Sequence, residues 1–469
     1  MFMKKRVCLV AALLLAPMVI SLTADASVAN VKPNILFILT DDQKWNVLGC
    51  LGNPNIQTPN IDRLAKQGVV FSNHFVTTSI CCSSRASILT GQYMRRHGIE
   101  DFKTSFKPEQ WAETYPALLR QNGYRTGFIG KFGVGAGKSV QAMAAQFDYW
   151  RGVTGQGGMY FINPKDPNRT HETARFGQDA VNFLATTPAN QPFCLSISFT
   201  APHARDEMPH LEQFQPDDRD TLLYTDKPLP ESETATDAFF QKLPIGVQKS
   251  IAHERWTWRF DTAEHYQKSA KDYYRLVTGI DREVGRILEE LEKHGLASNT
   301  IIVFTSDNGF FLGDRKLSDK FFMYEESLRV PLIIYDPRQA AVNRGRNETA
   351  MTLNIDFAPT LLTYAGITPP PRMQGCSLTP LVENQRPTDW RTDFFYEHHF
   401  FPEHIPPSEG IRTERWTYIR WLNEKPLVEE LFDLKNDPLE AQNLANDPSH
   451  QAILDQLRMN WANYRAKLE

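Results

Sequence analysis

NILFILTDD, residues 34–42, is the stretch from which the fold prediction starts. Its first six residues are an apolar run without polar alternation, which is typical of a strand buried on both faces of a sheet. A second run of this kind, residues 301–304, leads into SDNG at residues 306–309. Each predicted strand therefore ends in oxygen-bearing side chains, which are Asp41, Asp42, Asp307 and Asn308.

Helical signals separate the apolar runs. Thr58 as an N-cap with proline in the first turn predicts a helix from about residue 59, and residues 114–121 predict another. A strand over residues 193–199 and a long amphipathic helix over about residues 273–295 continue the alternation. This order predicts an α/β fold with a large, mainly parallel sheet sandwiched by helices, in which ligands collect at the carboxyl ends of the strands.

Two parts of the chain depart from the alternation. Residues 205–267 are polar and rich in proline and aromatics, and are interpreted as an insertion that shapes a pocket wall or as an ordinary surface excursion. Aromatic-rich segments from about residue 377 and a terminal helix from about residue 448 predict a smaller C-terminal α+β subdomain. The predicted domains are therefore residues 27–376 and 377–469.

Composition excludes several classes of protein. The 469 residues include 51 basic and 55 acidic side chains, and the net charge is -4. Because the two signs are interspersed, no broad cationic surface for nucleic acid is expected. A hydrophobic content of 41% with 11% aromatics is typical of a folded globular protein.

The first 26 residues predict an export signal. Lys4, Lys5 and Arg6 precede an apolar run over residues 7–22, and Ala-Asp-Ala at 24–26 suits cleavage. The alternative is a membrane anchor, but the run is shorter than the ~20 residues that a spanning helix needs. We therefore expect an exported protein without stable membrane insertion, periplasmic or secreted if the source is bacterial.

CCSSRASILTG, residues 81–91, is the most specific stretch of the sequence. It resembles the signature of the type I sulfatases of the alkaline phosphatase superfamily. The resemblance extends from KPNILFILTDD to ELFDLKNDPLEAQNLA, and implies an alkaline phosphatase-like fold. It also implies that a formylglycine-generating maturation enzyme converts Cys81 to 3-oxoalanine (formylglycine), whose hydrated aldehyde is the nucleophile that releases sulfate.

The same resemblance implies one Ca²⁺ ion, bound at Asp41, Asp42, Asp307, Asn308 and the side chain at position 81. Four oxygen-bearing side chains with no histidine or thiolate among them suit a hard cation, and Ca²⁺ tolerates irregular geometry better than Mg²⁺. Singly, an aspartate pair after a strand is more often a turn former.

Cations complete the site that the resemblance implies. Arg85 would contact the nucleophile, Lys131 and Lys320 would bind sulfate, and His203 would protonate the leaving oxygen. Clustered cations stabilise the charge that collects on the sulfate oxygens in the transition state. The histidine suits proton transfer near neutrality. Each of these side chains alone could equally be a structural or surface residue.

Three positions depart from the family pattern. Ser83 stands where the signature usually has proline, which bears on recognition by the maturation enzyme. Gly133 stands where many members have a histidine. Asp314-Arg315 occupies a stretch where relatives often have a histidine, and Arg315 is a candidate for gripping substrate anions.

A sulfated carbohydrate, a polysaccharide or a glycosaminoglycan-type oligosaccharide, is the expected substrate. His398, His399 and Arg412 are further candidates for binding it, although this aromatic and histidine-rich segment could instead be the core of the small subdomain. A phosphodiesterase or phosphonate hydrolase of the same superfamily is the alternative enzyme. If Cys81 is not matured, a non-catalytic protein that binds sulfated glycans is a third possibility.

Overall fold

The computed structural model describes residues 32–155, 160–161, 165–166, 169–206 and 212–468. The export signal predicted for residues 1–26 lies outside these ranges and stays a prediction. Within them, every helix is too short or too polar to cross a lipid bilayer.

Fourteen strands lie in the described ranges. They are β1 (Asn34–Thr40), β2 (Val69–Phe71), β3 (His74–Phe75), β4 (Arg125–Lys131), β5 (Tyr149–Val153), β6 (Phe193–Ser198), β7 (Thr300–Ser306), β8 (Leu332–Tyr335), β9 (Arg346–Glu348), β10 (Thr352–Leu353), β11 (Asp393–His398), β12 (Ser408–Thr413), β13 (Trp416–Trp421) and β14 (Val428–Asp433).

Helices connect and cover these strands. They are α1 (Pro59–Gln67), α2 (Cys81–Thr90), α3 (Met94–His97), α4 (Pro108–Trp111), α5 (Tyr115–Gln121), α6 (Lys138–Ala142), α7 (Glu172–Ala185), α8 (Asp237–Phe240), α9 (Ile245–Gln248), α10 (Ile251–Arg259), α11 (Ala263–Lys293), α12 (Glu325–Leu328), α13 (Phe357–Tyr364), α14 (Thr379–Val382) and α15 (Gln451–Leu468).

Eight strands form the central sheet in the order β5-β4-β6-β1-β7-β8-β2-β9. The five strands from β5 to β7 are parallel to one another, and β8 runs antiparallel to both of its neighbours. The predicted α/β fold with a large, mainly parallel sheet is therefore confirmed. A two-stranded sheet, β3 with β10, lies apart from it.

Alternate residues of β1 pack into two different cores. Leu36 and Ile38 belong to a cluster that includes apolar residues of α1, α7 and α11. Ile35, Phe37 and Leu39 belong to a second cluster with residues of α2, α5 and α13. Helices thus cover both faces of the sheet, which explains why NILFIL lacks the polar alternation of a half-exposed strand.

The C-terminal subdomain is an antiparallel sheet in the order β11-β12-β13-β14, packed against α15. Its core, which includes Leu454 and Leu457 of α15, also contains Phe75 and Cys82 from the first half of the chain. The predicted α+β subdomain is therefore present. The chain from residue 32 onward forms one compact unit, so the boundary at residues 376 and 377 stays a prediction.

The start of the long helix differs from the sequence prediction, whereas α1 begins at Pro59 as predicted but lacks the cap bond expected of Thr58. The long helix begins at Ala263, about ten residues earlier than expected, because the Thr262 hydroxyl accepts a bond from the His265 amide and caps three polar turns. Thr58 occupies the N-cap position of α1 but makes no cap bond. Its hydroxyl instead bonds Asp62.

Asp281 of α11 caps α1 in its place. One carboxylate oxygen, Oδ1, accepts the amides of Asn60 and Ile61 at 3.0 and 2.8 Å, and the other accepts Asn60 Nδ2 at 2.9 Å. Because the first amides of a helix have no partner within it, this contact between α1 and α11 supplies what the local sequence does not.

Replacing Asp281 with alanine should lower the free energy of unfolding by about 1–2 kcal/mol, since two helix amides lose their acceptor. Urea denaturation followed by circular dichroism measures the change. Asp281→Asn keeps one side-chain acceptor and should be less damaging. Equal stability of the alanine variant and the parent protein would contradict the capping role.

Candidate active site

Parallel strands bring the predicted site residues to one edge of the central sheet. Thr40 pairs with Ser306 at the ends of β1 and β7, so Asp41 and Asp307 follow adjacent strands in register. β4 ends at Lys131. The segment that carries His203 follows the end of β6, which lies between β4 and β1.

Three buried carboxylates converge at this edge. The Asp42 amide donates to Asp307 Oδ1 at 3.2 Å, and Asn308 Nδ2 donates to Asp42 Oδ1 at 2.6 Å and to Asp307 Oδ1 at 2.9 Å. Asp41, Asp42, Asp307 and Asn308 are all fully buried. The residues that the sequence predicted as cation ligands therefore lie together.

Helix α2 places Cys81 and Arg85 in the same cluster. Cys81 is the first residue of the helix, and its Sγ lies 3.4 Å from Asp41 Oδ1. Arg85, one turn later, donates from Nε to Asp307 Oδ2 at 2.7 Å, and its Nη2 lies 3.2 Å from Asp41 Oδ2. Arg85 also bonds the Lys131 carbonyl and the Ser198 hydroxyl, which ties α2 to β4 and β6.

Two lysines balance the remaining charge. Lys131 Nζ lies 2.6 Å from Asp41 Oδ2, and Lys320 Nζ lies 2.7 Å from Asp42 Oδ2. With Arg85, three cations face three carboxylates, and all of these groups are buried. Since buried charges need partners, the cluster is neutral before any ligand enters.

Hydrogen bonds define the protonation of His203. Its Nδ1 lies 2.6 Å from the Ala204 carbonyl, which can only accept, so Nδ1 carries the proton. Its Nε2 lies 3.3 Å from Lys320 Nζ, which can only donate, so Nε2 accepts. Burial, together with the charges of Lys320 and Lys131, lowers the pKa of His203 well below its ordinary value, which keeps the ring neutral at pH 7.

Burial also shifts the acidic groups of the cluster. It raises the pKa of Asp41, with a further rise from Asp307 and opposing effects from Lys131 and Arg85. Burial raises the pKa of Asp42 well above its ordinary value despite the nearby Lys320. The pKa of the Cys81 thiol is likewise raised well above its ordinary value by burial and then by Asp41. Cys81 is therefore a thiol and not a nucleophilic thiolate at neutral pH.

Left-handed backbone conformations occur around these side chains. Asp42 has φ +63°, and Asp319 and Phe321, on either side of Lys320, have φ +68° and +88°. Such conformations are costly for non-glycine residues and are commonest where function requires a particular side-chain direction.

Gly133 leaves room for Arg85. The glycine has φ +75°, and a Cβ at this position would lie 2.4 Å from Arg85 Cδ. A histidine cannot be placed here without moving the arginine. The departure noted in the sequence therefore matches the local packing, and His203 is the only histidine among the described residues whose ring contacts the carboxylate cluster.

Oxygen ligands for a hard cation are present in this cluster. One ligand atom each from Asp41, Asp42, Cys81 and His203 lies within 4.8 Å of the others. Asn308 Oδ1 is a buried acceptor without a hydrogen-bond partner in the described ranges. Carboxylates whose pKa is raised by burial and an amide oxygen without a partner both favour a bound divalent cation, so the residues fit Ca²⁺.

The predicted substrate-binding residues do not join the cluster as a group. Arg315 is buried, bonded to Glu326 and Glu440 side chains and to the Leu439 carbonyl. Its guanidinium is therefore hydrogen-bonded within the protein. This placement does not support the expectation that Arg315 binds substrate anions.

The three C-terminal candidates occupy different surroundings. Arg412 donates to Glu325 Oε1 at 2.8 Å, and His399 lies 3.2 Å from Glu409 Oε1, so both have internal partners. His398 is fully buried against the ring of Phe321, next to Lys320, and neither ring nitrogen has a hydrogen-bond partner in the described part of the chain. His398 thus contacts the residue that follows Lys320.

Sequence reasoning missed a second ionic cluster beside His203. Asp206 Oδ1 and Asp319 Oδ1 each lie 2.7 Å from Arg259, and Asp206 Oδ2 and Asp319 Oδ2 lie 3.1 and 2.8 Å from Arg255 Nη1. We call these four residues the arginine–aspartate clamp. Asp206 follows His203 by three residues, and Asp319 directly precedes Lys320. This closeness in the sequence is the signal from which the clamp could have been predicted.

Helix α10 supplies both arginines of the clamp. The helix lies in the 205–267 insertion, so part of this insertion does lie against the site, as one of the two sequence interpretations expected. The other interpretation, that the insertion is an ordinary surface excursion, does not hold for α10, because Arg259 is fully buried.

The sulfatase family model matches residues 33–367. The chain belongs to the sulfatase family. A second model, for the C-terminal part of N-sulphoglucosamine sulphohydrolase, matches residues 313–467. The protein is thus a sulfuric ester hydrolase with the alkaline phosphatase-like fold that the sequence predicted.

Two similar proteins stand out. An N-acetylglucosamine-6-O-sulfatase of Bacteroides thetaiotaomicron is 33% identical, with 88% of this chain and 82% of that protein covered. A solved structure of a protein in complex with its substrate D-glucosamine-2-N,6-O-disulfate has a TM-score of 0.78 and 31% identity, covering 93% of this sulfatase and 98% of that chain.

A phosphonate monoester hydrolase of Agrobacterium radiobacter shares the fold, with a TM-score of 0.73, 22% identity, and coverage of 93% of this chain and 96% of that one. This likeness extends to the fold alone.

Removing Arg259 should destabilise this sulfatase strongly. Arg259→Ala leaves Asp206 and Asp319 with Arg255 as their remaining partner in the clamp, and breaking a buried ion pair costs about 3–5 kcal/mol. Urea unfolding measures the loss. The matched control is Arg415→Ala, which removes an exposed pair with Asp433 and should change the stability little, because exposed ion pairs are screened by water. Similar losses in both variants would refute the clamp as a stabilising element.

Proposed function

We propose that this sulfatase removes the 6-O-sulfate from glucosamine units of a sulfated glycan, with formylglycine at position 81 and one Ca²⁺ ion. The observation that carries the proposal is the position of Cys81 at the start of α2, against three buried carboxylates and three buried cations. The substrate follows from the similar N-acetylglucosamine-6-O-sulfatase and the disulfate complex.

Conversion of Cys81 is proposed because its thiol is poorly suited to attack. Its burial beside Asp41 raises its pKa, so the thiolate is scarce at neutral pH. Formylglycine, as a hydrated aldehyde, would supply a hydroxyl nucleophile at the same position. Ser83 lies inside α2 and donates to the Ile99 carbonyl at 2.8 Å, so the residue that replaces the usual proline is compatible with the folded helix. Maturation by a formylglycine-generating enzyme is part of the proposal.

Asp41, Asp42, Asp307 and Asn308 would hold Ca²⁺, which supplies Lewis-acid stabilisation of the sulfate oxygens. Arg85 and Lys131 hold the side chains around position 81 in place, and Lys131 and Lys320 carry the positive charge that the sulfate group meets. Since three cations balance three carboxylates in this cluster, a dication (+2) together with a monoanionic sulfate ester (−1) would add a net charge of only +1. This balance supports simultaneous binding of the cation and the sulfate.

Lys320 and His203 would deliver the proton to the leaving oxygen. In the geometry described above, the Lys320 ammonium donates toward His203 Nε2, so a proton is available between these two groups. His203 is neutral and its Nδ1–H is held by the Ala204 carbonyl, which orients Nε2. His398, buried beside Phe321 with two unpartnered nitrogens, remains a candidate for a substrate contact.

The mass of the tryptic peptide Gln67–Arg85 tests maturation. Protein from a host that matures sulfatases should show the loss expected for exchange of one thiol for an aldehyde, with fragment ions placing the change at Cys81. Sulfate release from N-acetylglucosamine-6-O-sulfate should vanish in Cys81→Ala and persist in the matched control Cys82→Ala, since Cys82 packs in the apolar core. Two intact thiols with undiminished turnover would refute formylglycine.

Ca²⁺ should raise the thermal stability of the protein independently of turnover. At about 100 times its Kd the ion contributes about 2.7 kcal/mol, and chelation should reverse the rise in Tm. Asp42→Asn removes one ligand charge at a position where asparagine tolerates the positive φ, and should weaken the response. The control Asp281→Asn, outside the cluster, should respond as the parent protein does. An unchanged Tm on addition of Ca²⁺ would contradict the proposed cation site.

A further inference from the structure

Arg255 and Arg259 are one helical turn apart on α10 but use their guanidinium groups differently. Arg259 donates from Nε to Gln213, from Nη1 to Ser318 and Asp319, and from Nη2 to Asp206. Every nitrogen of Arg259 is thus satisfied by the protein, and its side chain is fully buried. Arg259 is a structural member of the clamp.

Arg255 is held by one nitrogen. Both of its ion pairs, to Asp206 Oδ2 and Asp319 Oδ2, use Nη1. Its Nε is buried and has no hydrogen-bond partner among the described residues. The side chain is 15% exposed, whereas that of Arg259 is 0% exposed. The edge formed by Nε and Nη2, which presents two parallel donors, is therefore left over after the clamp has formed.

This edge belongs to a side chain that lies one residue away from His203, through Asp206. A single oxygen, Asp206 Oδ2, lies 3.1 Å from Arg255 Nη1 and 3.8 Å from His203 Nε2. The side chains of the inner cluster are at most 3% exposed, whereas His203 is 6% and Asp206 is 20% exposed. Asp206 and Arg255 are thus the more exposed side chains beside His203.

Neighbouring carboxylates keep the Arg255 side chain charged. Burial opposes the charged form of the guanidinium, but Asp319, Asp206 and then the more distant Asp42 raise the pKa of Arg255. Arg255 is therefore fully charged and fixed in direction by the clamp.

We propose that the Nε–Nη2 edge of Arg255 binds a second anionic group of the substrate, an N-sulfate or a uronate carboxylate near the 6-O-sulfate that is cleaved. The inference rests on the proposed function. Sulfate and carboxylate both present two oxygens at the spacing of paired guanidinium donors. Because the clamp as a whole is neutral, recognition comes from these two hydrogen bonds and not from an excess of positive charge.

Steady-state kinetics on a matched substrate series test the assignment. The substrates are N-acetylglucosamine-6-O-sulfate, glucosamine-2-N,6-O-disulfate, and a disaccharide with a uronate next to N-acetylglucosamine-6-O-sulfate. The parent protein should prefer at least one of the two dianionic substrates over the monosulfate in kcat/KM. In Arg255→Gln this preference should fall about tenfold, mainly through KM, since a hydrogen-bonded charge pair is lost. Loss on the disulfate identifies N-sulfate, and loss on the disaccharide identifies carboxylate.

Two further variants separate binding from positioning. Arg255→Lys keeps a cation for Asp206 and Asp319 but lacks paired donors, so the preference should still fall. Arg259→Lys disturbs the clamp without touching the free edge, so turnover of all substrates should fall together and their ratio should stay constant.

The inference is overturned if the parent protein shows no preference, if Arg255→Gln keeps it, or if Arg255→Lys keeps it in full. It is also overturned if Arg255→Gln lowers turnover of the monosulfate as much as that of the dianionic sugars. Failure of the proposed function has a different signature, in which the parent protein, matured at Cys81, cleaves an aryl sulfate but none of the three sugars.

Discussion

The register between β1 and β7 is the constraint on which the site depends. Because Thr40 pairs with Ser306, the residues that follow are forced together. Asp41, Asp42 and Asp307 are buried at this edge, and Asp42 and Asp307 both accept a hydrogen bond from the Asn308 amide. Such a concentration of buried negative charge cannot exist alone. Arg85 from α2, Lys131 from β4 and Lys320 from the loop after β7 compensate for it, and each cation ties another element to the same edge of the sheet.

This compensation explains the positions of the surrounding elements. Arg85 reaches Asp41, Asp307, the Lys131 carbonyl and Ser198, so α2 is held where Cys81 faces the carboxylates. Gly133 is needed because any side chain there would collide with Arg85. The catalytic cluster is thus also a structural cluster, which joins strands that are far apart in the sequence.

The clamp extends the same principle to the insertion. Asp206 and Asp319 flank His203 and Lys320, and two arginines of α10 hold both acids. The loops that carry His203 and Lys320 are therefore fixed by charges outside the carboxylate cluster. Arg259 uses all of its nitrogens in these bonds. Arg255 uses Nη1, and its Nε has no hydrogen-bond partner among the described residues.

Much of this could be predicted from the sequence, since the information is local. The apolar run at 34–39, the signature at 81–91 and the polar residues after predicted strands are short patterns. The predicted nucleophile, the predicted cation ligands and the predicted cations and histidine around them do lie in one cluster, whereas Arg315 does not. The start of α11 lies earlier than predicted because its first turns are polar, and Thr58 is the N-cap residue of α1 as predicted but the cap bonds come from Asp281.

What only the tertiary structure decided are contacts between distant segments. Arg315 resembled a free anion-binding side chain in the sequence, yet it is buried against Glu326 and Glu440 from α12 and the C-terminal region. Asp281 capping α1, and Arg255 and Arg259 clamping two loops, involve partners separated by dozens to hundreds of residues. Local patterns reveal which side chains can carry charge. Whether a charged side chain is paired within the protein or can bind a ligand depends on its burial and its partners. Those are properties of the packed chain.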